Sequence, residues 1–162
     1  MIARRTLYFI CLLFLLAFLL LANQDSLSVW EEKITTFETT NNADSLAYYY
    51  QQKANYYKNK DSLAEWAYTY WDWQASTFED SRQSLAILDQ VIKNTWRTPK
   101  NEAESEAMLW VQVNRGYHLF QLGKISTAVE AYEAALALYQ QYHFADFEAL
   151  DYLYLPLGAH YT

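Results

Sequence analysis

Three histidines are the only imidazoles this chain of 162 residues has for moving protons or holding a metal ion: His118, His143 and His160. No two stand four residues apart, the spacing that places two ligands on one helix face, and none has a carboxylate at the His-Glu-x-x-His spacing. His118 lies on a helical stretch beside Gly116, where a solvated or hydrogen-bonded imidazole is the simpler expectation than a metal ligand. The single cysteine, Cys11, sits in an apolar run and reads as filler, so the rest of the chain has no thiol for a disulfide, a metal site or nucleophilic catalysis. Three glycines, at 116, 123 and 158, are too few and too far apart for a phosphate-cradling loop, and there is no Gly-x-Ser-x-Gly elbow. Glu102, Glu104 and Glu106 read as acids at a helix start, favoured there by the helix dipole, and not as an acid–base pair. The residues therefore predict neither catalysis nor a cofactor.

Aromatic side chains are the other candidates, at 18% of the chain and clustered. Their plain reading is core, since each buried ring removes a large area from water. Their sharper reading is a recognition surface. Trp66, Tyr70 and Trp73 follow one helical stripe, and if exposed and coplanar, as Trp66 with Trp73, they would suit stacking on sugar rings. A formal charge of −7 makes nucleic acid and anionic membrane surfaces poor partners.

Helices must position these residues. Three glycines and two prolines in the whole chain argue against a turn-rich β-architecture. Residues 1–22 are set apart: Arg4 and Arg5 precede an uncharged run from Leu7 to Ala22, the pattern of an export signal cut after Ala22. Leu20 departs from the small residue preferred near such a cut. The run is shorter than the roughly 20 residues of a spanning helix, and an uncleaved anchor through residues 7–22 is the alternative. The expected location is thus exported, periplasmic or secreted, or anchored to a membrane. Beyond it, apolar spacing and breakers predict helices starting near 27, 45, 62, 81, 103, 125 and 147, with Asp44 and Ser45 capping the second. The segment 95–101, holding Pro99, is the longest link. Pro156 should kink or delay the last helix. That helix is apolar on most sides, an awkward end that suits either a dimer contact or a longer parent chain.

Within residues 108–139 two helices meet at a turn on Gly123, and Ala128, Tyr132 and Ala135 share one face of the second. Small, aromatic and small residues at this spacing let one helix nest on another, with Gly116 admitting a close neighbour. Gly116, Gly123, Ala128, Tyr132 and Ala135 resemble the tetratricopeptide repeat. Gln112, Arg115 and Leu119 stand where Trp, Leu and Tyr are usual, and Gln140 replaces a proline. Tyr154, Leu157, Gly158 and Tyr161 repeat the first-helix signature, 42 residues on between glycines, against the family's usual 34. The resemblance implies an all-α helix-turn-helix solenoid of about three and a half antiparallel pairs. It divides the chain into 1–22, divergent helical repeats at 23–101, and tetratricopeptide-like repeats at 102–162 with an incomplete second copy. It also implies a concave groove lined by Trp110, Val113, Asn114, Tyr117 and Gln121, then Tyr152 and Leu155, with Trp66, Tyr70 and Trp73 continuing it. Members that grip a peptide's terminal carboxylate use several basic residues and Asn there. Here only Asn114 matches, so an extended or helical segment with apolar side chains is the expected partner. That partner is another protein or further repeats of a longer chain. In the second case this would be the sensory part before an effector such as a caspase-like protease or histidine kinase.

Overall fold

The computed structural model describes residues 26–40, 42–142 and 144–159. The expected export signal or anchor, Cys11, His143, His160 and Tyr161 lie outside the described residues. Every element described is helical and no strand occurs among them: α1 (26–39), α2 (Ala43–Asn59), α3 (Leu63–Ala75), α4 (Ser81–Asn94), α5 (Glu102–Gln121), α6 (Ile125–Tyr142), a π-helical turn (Leu150–Tyr154) and α7 (Leu155–Gly158). The fold is all-α, as the scarcity of glycine and proline predicts. None of these helices is long and apolar enough to cross a membrane, among the described residues.

The chain forms two compact units, residues 1–52 and 53–162, with the boundary inside α2. In the first, the ring of Phe37 stacks on Tyr49 at 5.6 Å between centroids, and the Tyr50 hydroxyl donates to Glu38 at 2.9 Å. These contacts fix α1 against the start of α2. The cap of α2 is Asn42, whose Oδ1 accepts the Ser45 N–H at 3.1 Å, in place of the Asp44 and Ser45 expected from sequence.

In the second unit α5 is the helix on which the others pack: α3, α4 and α6 all lie against it, and α6 in turn meets the π turn and α7. Helices on both sides of residue 101 thus share one unit. One core joins Leu109, Val113, Tyr132, Ala135, Phe147, Leu153 and Leu157, and a second joins Leu85, Leu119, Ala128 and Ala131. Local chemistry sets the helix ends. Asp80 caps α4 by accepting the N–H groups of Arg82 and Gln83, and Asn101 caps α5 by accepting that of Glu104 at 2.9 Å. Gly123 takes φ +70°, so Lys124 N–H reaches back to the Leu119 carbonyl and closes α5 with a left-handed turn. The same bond pattern ends α2, where Ser62 N–H donates to the Tyr57 carbonyl and Asp61 takes φ 54°.

That aspartate does more than turn the chain. Its Oδ1 accepts from Trp96 Nε1 at 2.9 Å and Arg97 Nε at 2.8 Å, and its Oδ2 from Lys100 Nζ at 3.2 Å. Arg97 also holds Glu104 with both terminal nitrogens, at 2.6 and 2.8 Å. The guanidinium between them keeps both carboxyls below the usual carboxylate range. The link at 95–101 is therefore tied to the α2–α3 turn and to the first turn of α5, which fixes where α5 begins.

Candidate functional site

Trp110, Val113, Asn114 and Tyr117 recur along α5 at three- and four-residue steps, so they share one face of the helix. Together with Phe78 from the α3–α4 turn, Tyr132 from α6, and Asp151, Tyr152 and Pro156 from the last element, they line a cavity of about 250 Å³. Five of its nine lining residues are aromatic. One is acidic, and none is basic.

Each wall is placed by a specific contact. Trp110 packs edge-on against Phe147 at 5.1 Å and Tyr152 at 5.2 Å, so one ring both closes the core and faces the cavity. Tyr117 stacks on Phe78 at 5.2 Å with the planes 18° apart, and both rings are exposed. Tyr132 is buried with its ring over Gly116. A Cβ built on that glycine would lie 2.8 Å from the ring, closer than real carbons approach. Burial, with Tyr117 alongside, pushes the Tyr132 phenol up to about 12, so it stays neutral.

The fourth wall depends on Pro156. It has no N–H to offer the preceding turn, and the chain widens to a π turn in which Leu155 N–H bonds the Leu150 carbonyl five residues back. The helical segment begins at 149, later than the expected 147, and its wide turn brings Asp151, Tyr152 and Pro156 together on the cavity. The Asp151 carboxylate has no hydrogen bond or ion pair among the described residues. Asn114 gives one N–H of its Nδ2 to the Trp110 carbonyl at 2.9 Å, which keeps its Oδ1 as an acceptor and the second N–H as a donor.

No family model, no curated protein and no solved structure matches this chain. The cavity must therefore be interpreted from its own chemistry.

Of the groove residues expected from sequence, Trp110, Val113, Asn114, Tyr117 and Tyr152 come together at this cavity, while Gln121 and Leu155 are exposed away from its lining. Trp66, Tyr70 and Trp73 do not continue it. They are 2%, 8% and 7% exposed, packed edge-on or tilted on one another, and Trp66 also meets Trp96 at 5.0 Å. They are core, and the sugar-stacking platform expected of Trp66 with Trp73 is buried. Among the signature residues, Gly116, Ala128, Tyr132, Ala135 and Leu157 are buried and Gly123 makes its turn. Tyr154 is exposed, and a Cβ at Gly158 would meet nothing within 4 Å, so this second glycine admits no close neighbour. Leu150, Tyr154 and Leu155 leave an apolar face on the last element.

Phe78, Asp151 and Pro156 were missed from sequence. Phe78 had one signal: a large apolar ring within the polar turn 76–80 has no helix face to serve. His118 is fully buried, its Nδ1 3.2 Å from Ser81 Oγ and its ring edge-on to Phe78 and Tyr117. Burial lowers its proton affinity, and Nε2 has no hydrogen-bond partner. No group of three or more His, Cys, Asp and Glu is placed to hold a metal ion among the described residues.

Proposed function

We propose that this chain is an exported helical-repeat module of the tetratricopeptide kind. It would dock a segment of another protein, or of its own longer chain, in the aromatic cavity beside α5. The observation that carries the reading is the cavity itself: five side chains expected to line a groove, three of them aromatic, meet there from α5 and the π turn. Two features support it. The ring of Tyr132 sits over Gly116 as small-aromatic nesting between paired helices requires, and each helix of 63–158 packs on near neighbours in sequence, as stacked pairs do. Preformed rings lose little freedom on binding, so aromatic anchors would supply most of the affinity. The export expectation rests on residues 1–22 alone.

Peptide display against the full-length chain tests this. Selection should enrich a shared motif whose binding is lost in Tyr117→Ala, a substitution at an exposed position. Enrichment of no motif, or of one indifferent to Tyr117→Ala, would overturn the reading.

A further inference from the structure

The cavity's chemistry specifies its occupant further than its shape does, granted the docking reading above. Its lining includes the rings of Trp110, Tyr117 and Tyr152, and the π-systems of such rings attract cations. One carboxylate, Asp151, is on the lining with no hydrogen bond or ion pair among the described residues. Asn114, held by one N–H on the Trp110 carbonyl, offers its Oδ1 as an acceptor. No lysine or arginine lines the space, and the nearby Arg115 is occupied by Asp89 at 2.7 Å. The chain as a whole carries −7. The charge of the lining therefore favours a positive guest.

We propose that the cavity receives the guanidinium of an arginine side chain carried by the docked segment. The planar group can stack on the aromatic faces while its N–H fork donates to Asp151 and to the Asn114 oxygen. A quaternary ammonium would use the rings but leave both acceptors unanswered. A lysine ammonium answers the acceptors, yet it is more strongly hydrated and has no plane to stack.

The test is an NMR titration of the ¹⁵N-labelled full-length chain with N-acetyl-arginine methylamide. It follows the Trp110 indole N–H, assigned through Trp110→Phe, and the amides of Asn114 and Asp151. The wild type should show one saturable set of shifts. The citrulline analogue has the same shape without the charge and should bind about tenfold more weakly, as should arginine with Asp151→Asn, each losing one charge-assisted interaction. Equal binding of citrulline, unchanged affinity in Asp151→Asn, or tetramethylammonium binding as tightly as the arginine compound would each overturn the assignment. N-acetyl-leucine methylamide separates this inference from the reading it rests on. If leucine shifts these resonances and arginine does not, the apolar docking reading stands and the guanidinium site falls. If neither does, both fall.

Discussion

Replacing Gly116 by alanine isolates the contact on which the α5–α6 pairing depends. Two opposing effects set the outcome. Alanine in a helix interior is favoured over glycine by about 1 kcal/mol. Against this, the new methyl would lie 2.8 Å from Cε2 and 2.9 Å from Cζ of the buried Tyr132 ring, roughly 1 Å inside the 3.5–4.0 Å optimum for carbon pairs. Relieving that overlap in a packed interior costs about 1–3 kcal/mol. The net expectation is a loss of about 1 kcal/mol, measured as a fall in the urea midpoint with an unchanged m-value. The decisive experiment repeats the substitution in Tyr132→Leu, which lacks the outer ring atoms. There the same methyl should stabilise by about 1 kcal/mol, a coupling of about 2 kcal/mol with reversed sign. Gly158→Ala is the control, because nothing lies within 4 Å of its added Cβ. If Gly116→Ala stabilises the otherwise unchanged chain by the helix-propensity amount, the close approach of Tyr132 is not real and the argument fails.

Further outcomes follow from the same physics. Asp61 and Glu104 have folded pKa values below their unfolded ones, so the unfolded chain binds more protons and stability falls with acid below about pH 4. Melting curves of Glu104→Gln should show a flatter acid limb than the wild type over that range. His118 is also lowered by burial, and its contribution is lost in a separate window as pH falls below about 6.5. His118→Asn should remove that step and leave the lower one. Gln74 is 1% exposed with neither amide atom hydrogen-bonded, so Gln74→Met should raise stability by about 1 kcal/mol in denaturant titration. Gly123→Ala forces a Cβ into a left-handed turn and should cost about 1–2 kcal/mol by the same measurement.

What could be read in advance divides by the range of the interactions involved. Helix starts from α2 to α6 fall within two residues of those expected, because caps and turn residues such as Asp80, Asn101 and Gly123 act locally. The α5 face of the cavity was equally legible, since positions 110, 113, 114 and 117 share a face whatever surrounds them. Periodicity could not say which aromatic stripe is covered. Trp66, Tyr70 and Trp73 have the same spacing logic as the α5 face, yet they are buried by residues distant in sequence such as Trp96. Asp151 was hidden for another reason. At π-helical pitch the register of an α-helix no longer tells which side chains share a face, and the bond pattern that follows Pro156 is a property of the folded turn.

The central place of α5 also bears on how the second unit forms and comes apart. In a long array of stacked helix pairs, the ends can melt while the middle persists. Here α3, α4 and α6 all lean on one helix, so none can be released without uncovering part of it. The amides in the middle of α5 should then exchange only when the whole unit opens. The α5–α6 hairpin joins neighbours through a three-residue turn, so its closure is cheap and rapid. It would form early and serve as the template on which α3 and α4 settle.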